Sequence, residues 1–553
     1  MDHDLFVLSV PRAGSDPPLV SVVDPIDSIV PVRKLTDVGG QFPSWSADGR
    51  MVHWSIGNAH FIYDLEESNF FSAGSELDAG EQSAQVDVAP VNEDDRNRVS
   101  GRPNLEHSDG YEPAETRVQV VVSRDLPDGY GVLRGARVIT MRDDEVLENA
   151  DIVVQGNRIL AVGSRGTVAF PDFATIIDVR GTTILPGFID THAHLRPNVG
   201  VHETQPWQYL ANLAYGVTTT RDPQTGTTDV LTYGDLVETG DVIGPRIYST
   251  GPGVLSAEQI EDLDHARRVL TRYSDYYGTQ TIKMYMSGNR RQRQWIVMAA
   301  QEQRLLPTTE GGLDWKYDLE MIIDGYPGLE HSFPIFPLYD DVLSLAVTSG
   351  IAYTPTLLVS FGGPFGENYF FTRENPHDDP KLRTFTPHGV IDQLTRRRGA
   401  GIDSGPGGWF REEEYVFRQH AVAVKDIVDG GGVAAVGSHG QLQGLGYHWE
   451  LWAMQSGGLS RHSALRVATI LGATAIGLDG DIGSVESGKL ADLVILEENP
   501  MQDIRNSNTI KFVMKNGRLY EGNTLDELWP RERPLSELGW FRDEPDSSIA
   551  GIR

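Results

Sequence analysis

The chain has 553 residues, 39% of them hydrophobic and 23% charged, a balance that supplies a large core and excludes global disorder. A net charge of −31 argues against nucleic acid or an anionic membrane as the main partner. Zero cysteine excludes disulfides, thiolate metal ligands and a cysteine nucleophile, so any metal must be held by His, carboxylate or a modified Lys. No apolar run reaches the roughly 18 residues of a membrane span. The opening MDHDLFVLSVPRAG has neither the basic nor the apolar region of a signal peptide. Localisation stays open, since a cysteine-free chain suits export without requiring it. At about 150 residues per domain, the length suits three or four domains, or one barrel with attachments.

In chain order, residues 1–66 read as short strands, with a hairpin predicted around Asp48-Gly49. The run Gly40 to Arg50 (GQFPSWSADGR) is similar to one blade of a TolB-like β-propeller, and about one and a half such blades are present. A propeller closes only with several, so this segment reads as a partial propeller, with a plain hairpin extension as the alternative. Residues 67–115 are acidic and poor in apolar side chains, which predicts a flexible linker. Residues 116–187 are β-rich, and 476–525 have the same character, which predicts one composite β-sandwich built from both flanks. Between them, 188–475 alternates short apolar strands with helical stretches in eight units, the count of an α/β fold of the (β/α)8 TIM-barrel type. Residues 526–553 form a C-terminal tail.

Polar residues gather at the C-terminal ends of the predicted barrel strands, the face that carries active sites in such barrels. His192 and His194 follow an apolar LPGFID strand at i, i+2, and strand alternation points both imidazoles to one side. Neutral imidazole is a common metal ligand, and the alternative is a pair of exposed loop histidines. Lys283 ends the fourth strand, Glu310 the fifth and His331 the sixth. The eighth ends in Gly437-Ser438-His439-Gly440. Arg221, Tyr285, Tyr353, Gln441 and His448 line the same predicted mouth as candidate substrate contacts, each with a structural hydrogen-bonding role as its alternative. The long connection 360–418 reads as a lid or as a surface excursion packed on the barrel. Its basic run Arg396-Arg397-Arg398 is expected to pair with local acids.

The stretch TILPGFIDTHAH and the closing segment Gly483 to Val494 (GSVESGKLADLV) resemble the amidohydrolase superfamily, most closely its imidazolonepropionase-like and prolidase-like branch, some members of which are fused to TolB-like propellers. The resemblance covers about 118–525. It implies a metal-dependent hydrolase with one or two divalent ions, zinc first and manganese or iron next. It also implies that His192, His194, Lys283 and His331 are metal ligands, Lys283 as a carboxylated lysine bridging two ions. Two positions depart from the family pattern. The fifth strand ends in Glu310 where a histidine is expected, and the eighth offers His439 where an aspartate is expected. Glu310 can act as a ligand, as a base or as the ion-pair partner of an unmodified Lys283. His439 can act as a ligand or as the general base, though one nitrogen cannot do both. The expected activity is hydrolysis of an amide-type C–N bond in a small-molecule substrate, such as a cyclic amide or a dipeptide. The alternatives are a catalytically impaired binding or assembly protein, and an esterase or lactonase. A homo-oligomer is compatible with the sequence.

Overall fold

The computed structural model describes residues 4–10, 19–20, 22, 28, 30–68, 111–255, 258–311, 314–395 and 410–543. The chain forms two units. One comprises 1–121 and 264–277, the other 122–263 and 278–553.

The first unit is built on a four-stranded antiparallel sheet of Gln41–Trp45, Met51–Ile56, Ala59–Asp64 and Ala114–Arg117. The Asp48-Gly49 hairpin joins the first two, and Ser46 Oγ donates to Asp48 Oδ1 at 2.6 Å inside the turn. Val52, Trp54 and Ile56 alternate inward and are buried. The helical stretch 264–277 completes this unit. Arg272 Nε donates to the Val38 carbonyl at 2.8 Å, Arg117 Nη2 to Asp275 Oδ2 at 2.7 Å, and the Phe61 and Tyr276 rings lie 6.0 Å apart. Among the described residues there is one four-stranded sheet and one two-stranded pair, Phe6–Leu8 with Val32–Lys34, which is not a closed propeller. The expected boundary at 115/116 shifts, because Ala114–Arg117 is the fourth strand of this sheet. It pairs antiparallel with Ala59–Asp64, Ala59 opposite Arg117 and Ile62 opposite Ala114. The core of the acidic linker, 69–110, lies outside the described residues.

In the second unit, both flanks of the chain share one nine-stranded sheet. Its main path runs Glu527–Trp529, Arg518–Glu521, Ile510–Lys515, Leu493–Leu496, Thr183–Pro186, Tyr130–Ile139, Val146–Gln155 and Arg158–Ser164, with Thr175–Asp178 also paired to Tyr130–Ile139. The junction of the flanks is the antiparallel pair of Thr183–Pro186 with Leu493–Leu496. Leu133, Ile152, Ile184, Leu493 and Ile495 pack in one buried cluster. The edge strand Glu527–Trp529 lies past the expected limit at 525, because Trp529 is buried against that cluster.

Two all-parallel sheets follow. Phe188–Asp190, Val217–Asp222 and Arg246–Ser249 form one. Val254–Leu255, Thr281–Tyr285, Leu306–Glu310, Gly328–Glu330, Ala352–Thr354 and Val433–Ala434 form the other. Helices connect many of these strands, several with side-chain caps. Asn289 caps Arg290–Glu302 with a full capping box, and Asp314 caps Trp315–Asp324. The last strand returns to the first, for Thr191 N donates to Val436 O at 2.9 Å and His439 N to His192 O at 2.8 Å. These bonds set the segments that follow Phe188–Asp190 and Val433–Ala434 side by side. No helix of the described residues is long and apolar enough to cross a membrane.

Candidate metal centre

The strand Phe188–Asp190 stops short of the histidines, which sit in the coil beyond it. His194 has φ 39°, so simple alternation does not orient the pair. Their rings nevertheless meet, with centroids 4.7 Å apart and the two Nε2 atoms at 3.0 Å. His331 (φ 71°), directly after Gly328–Glu330, and His439 (φ 60°), five residues past Val433–Ala434, are also left-handed. The centroids of His331 and His439 lie 5.0 and 5.1 Å from that of His192, and 5.3 Å from each other. Ligand nitrogens of His192, His331 and His439 lie within 4.8 Å of one another. Gly437 permits this approach, since a Cβ there would stand 2.7 Å from His192 Cβ and 2.5 Å from Thr354 Cγ2.

Each imidazole is held from behind. His192 Nδ1 donates to Glu330 Oε2 at 2.6 Å, which turns Nε2 toward the cluster. Glu330 is fully buried and also accepts from Arg221 and from Thr308 Oγ1. His331 Nδ1 lies 2.7 Å from Thr356 Oγ1, and its Nε2 lies 3.0 Å from Glu310 Oε1. His439 Nδ1 lies 3.3 Å from Gln441 Oε1, and Gln441 Nε2 donates to Glu367 at 3.0 Å. Lys283 is 1% exposed, and its Nζ is 2.5 Å from Glu310 Oε2, an ion pair without hydrogen-bond geometry at that oxygen.

The electrostatics favour neutral imidazoles. Burial, and then Lys283, push His192 well below the usual histidine range, and burial and then His192 do the same to His194. Burial and His331 push His439 down to about 3. Burial acts to raise the Glu310 carboxyl, but Lys283 and His331 outweigh it and hold the group at about 2. Asp190, which accepts from His192 N and Ser438 Oγ, is pushed up to about 6 by burial. Asp222, 3.9 Å from His194 Nδ1, is pushed up to about 7, again by burial. Around the imidazoles, then, the four carboxyls of Asp190, Asp222, Glu310 and Glu330 face two fixed cations, Arg221 and Lys283. Neutral ring nitrogens beside carboxylate oxygens make a donor set that suits a divalent cation.

The structure thus brings together His192, His194, His331, His439, Lys283 and Glu310. Tyr285 stands beside them, with its ring centroid 5.9 Å from Lys283 Nζ. Other candidates fall elsewhere. Arg221 is buried and spends its guanidinium on Glu330 and the Thr191 carbonyl, so it positions the site from within the protein. Tyr353 is buried with its hydroxyl accepting from Phe333 N at 3.1 Å, a core role rather than a substrate contact. His448 is fully buried in the helix Leu445–Gln455, with its ring nitrogens on Ser507 Oγ and the Tyr215 carbonyl, both at 2.9 Å. It therefore faces helix and sheet packing, not the cluster. Gln441 bridges His439 and Glu367. The described part of the 360–418 connection is packed, with Phe370 stacked on Trp449 at 5.5 Å and Phe371 edge-on to the same ring at 4.9 Å. It has the character of the packed excursion rather than of a free lid, and Arg396-Arg397-Arg398 lie outside the described residues. Glu330 is the residue that strand reasoning passed over. A carboxylate preceding a strand-end histidine was the available signal, and the left-handed turn at His331 lets neighbouring side chains serve one site.

Residues 418–520 match the model of the amidohydrolase family. An adenine deaminase of Deinococcus deserti is 35% identical over 89 residues, which are 16% of this chain and 15% of that protein. The chain therefore aligns with under a fifth of the length of that curated relative. Among solved structures, a Xaa-Pro dipeptidase with methionine bound in its active site aligns with 71% of this chain and 100% of its own, at TM-score 0.54 and 21% identity. The ochratoxinase of A. niger aligns with 72% of this chain and 96% of its own, at TM-score 0.54 and 19% identity. At these identities the structural likeness is one of mixed α/β fold.

Proposed function

We propose that the parallel strands form a (β/α)8 barrel whose mouth holds a divalent metal, and that the chain hydrolyses an amide-type C–N bond of a small-molecule substrate. The observation that carries this reading is the convergence of four imidazoles, His192, His194, His331 and His439, with Glu310 and Glu330 against them. The family match, the deaminase relative and the dipeptidase-like fold support the C–N bond as the target. His192, His194, His331 and His439 would hold the ion, with Glu310 able to join them through its carboxylate. A bound divalent cation supplies Lewis acidity, which polarises a carbonyl and makes water more acidic. The residues do the rest. Glu330 fixes the tautomer of His192, Thr356 orients His331, and the Glu330–Arg221 pair locks the floor. At about 3, His439 is a poor proton acceptor, which favours the role of ligand over that of base. Lys283, paired to Glu310 as an ammonium, favours a single ion; a carboxylated Lys283 would release Glu310 and provide oxygen donors for a second.

A second reading, a metal-binding barrel without turnover, draws on one observation. Neither Glu310 at about 2 nor His439 at about 3 accepts a proton near neutral pH in the metal-free protein. One experiment separates the two. The purified chain is loaded with zinc or manganese and offered a panel of dipeptides, N-acyl amino acids and cyclic amides, with matched esters and lactones. Metal-dependent amide hydrolysis that His192→Ala abolishes supports the proposal. Tight metal binding with no turnover on any of these substrates favours the second reading, and preference for the esters moves the activity to that class.

A further inference from the structure

A cavity of about 300 Å³ lies in the second unit, between the turn following the helix Asp229–Thr239, the hairpin Ile510–Lys515 with Arg518–Glu521, and the segment 533–536. None of its lining residues belongs to the imidazole cluster. The hairpin turns through Asn516 (φ 53°) and Gly517 (φ 76°), the two left-handed positions of a tight two-residue loop. That turn sets Lys515 directly opposite Arg518. Like charges facing each other across a ladder repel, and the protein neutralises only one of them. Arg518 donates from Nε and Nη2 to Asp125 and from Nη1 to Glu527. Lys515 is 7% exposed, lines the cavity, and among the described residues has no hydrogen-bond or ion-pair partner for its Nζ. An ammonium so deeply buried without a partner is costly.

The balance of charge around the cavity defines what would complete it. Lys515, Arg518, Arg531 and Arg533 line it on the positive side, and Asp125, Asp241 and Glu527 on the negative. Among the lining residues alone one positive charge is left over, with Glu238, Asp492 and the cation Arg246 acting on Lys515 from outside the lining. Arg531 is committed to Glu527, which leaves Lys515 in the floor and Arg533 at an exposed edge as the lining cations with no carboxylate in ion-pair contact among the described residues. Leu210, Val237, Val242 and Leu525 supply apolar wall.

We propose that this cavity binds a small organic monoanion, with its carboxylate on the Lys515 ammonium and its apolar body against the Leu210, Val237, Val242 and Leu525 wall. A single carboxylate matches the one lining ammonium that has no close partner among the described residues, and a phosphate dianion would bring a second negative charge toward Asp125, Asp492 and Glu238. In the free protein, burial holds Lys515 down at about 8, so its ammonium form meets an anion at neutral pH and its amine form meets an acylating reagent at mildly alkaline pH.

The test is calorimetric titration of the full chain with sodium benzoate, and separately with inorganic phosphate, against sodium chloride at equal ionic strength. Saturable one-to-one binding of benzoate is expected, weakened at least tenfold in Lys515→Met and retained in His192→Ala. Equal binding by Lys515→Met, loss of binding in His192→Ala, or no saturation above the chloride reference would overturn the proposal. Phosphate binding tighter than benzoate would overturn the monoanion assignment. Lys515→Met removes an unpaired buried charge and is expected to melt no lower than the parent. Should it fail to fold, acetylation of Lys515 in the parent chain, followed by mass spectrometry, gives the same answer: benzoate slows it if the site is real and leaves the rate unchanged if it is not.

Discussion

Glu330 carries much of the site's order, although it faces no solvent. It receives His192 Nδ1 and the Arg221 guanidinium on opposite oxygens, so one carboxylate fixes a ligand and neutralises a buried cation. Glu330→Gln keeps the shape but turns an amide donor toward a donor on one side. Loss of such an outer partner typically weakens metal binding about 10–100-fold, and a buried guanidinium left without its carboxylate costs about 3–5 kcal/mol. We expect zinc affinity to fall within that range in a competitive chelator titration, together with a lower melting temperature. Unchanged affinity would show that His192 does not depend on Glu330. Gly437→Ala makes a steric counterpart. Its new Cβ would press on His192 Cβ at 2.7 Å, so zinc affinity should fall without any change in charge. A chelator titration in which Gly437→Ala equals the parent would mean that His192 yields freely.

At the scale of elements, the helix Leu445–Gln455 braces the strand ends through Glu450. Its two oxygens accept from Leu357 N at 2.7 Å and Leu358 N at 2.9 Å, just past Thr356, which holds His331. Burial pushes Glu450 up to about 8 from an ordinary 4.5. The folded chain therefore keeps a proton that the unfolded chain has released, and this group's contribution to stability falls as pH rises from 4.5 to 8. Below about 6.5 the buried histidines, whose values are depressed, act with the opposite sign, so the clean window is pH 6.5–8. In that window the melting temperature of the chelator-treated protein should fall with rising pH, and Glu450→Gln should flatten the slope. An equal slope in both proteins would remove Glu450 from the account and shift the weight to other raised carboxyls of the same sign, Asp222 at about 7 first and Asp190 at about 6 next.

The elements also show what was readable in the residues. Short apolar strands with polar ends, and the histidine pair after LPGFID, locate the cluster because strand ends and ligand chemistry are both local signals. The orientation of its members was not readable. His194, His331 and His439 leave the extended region, so the rule that places alternate side chains on opposite faces lapses where it matters. On that rule Ser438 and His439 could not both serve the site, yet Ser438 Oγ bonds Asp190 while His439 meets His192. His448 was unreadable for another reason. Its ring is spent on Ser507 and the Tyr215 carbonyl, partners about 60 and 230 positions away in sequence. Ala114–Arg117 joins a sheet across a long intervening stretch, a pairing that no local pattern announces.

For the whole molecule, the flanks behave as one piece of structure, since Thr183–Pro186 and Leu493–Leu496 pair at the centre of the nine-stranded sheet. Ile495 is fully buried there and opposes Ile184. Ile495→Ala should cost about 2–5 kcal/mol and lower the melting of the second unit as a whole, because both flanks lose the same core. A local change confined to the C-terminal strands, as read by hydrogen exchange, would show that the sheet is not cooperative. Charge at this scale bears on the central claim. A chain at −31 attracts divalent cations broadly, and a second group, His377, His388 and Asp392, also has ligand atoms within 4.8 Å of one another. Bulk metal content alone therefore does not locate the ion. The direct measurement is an anomalous-difference map from crystals of the full chain soaked in zinc and recorded on both sides of the zinc edge. The account predicts a peak bounded by the Nε2 atoms of His192, His194 and His331 and by the His439 ring; a map with zinc only at His377 and His388, or with none, would contradict it.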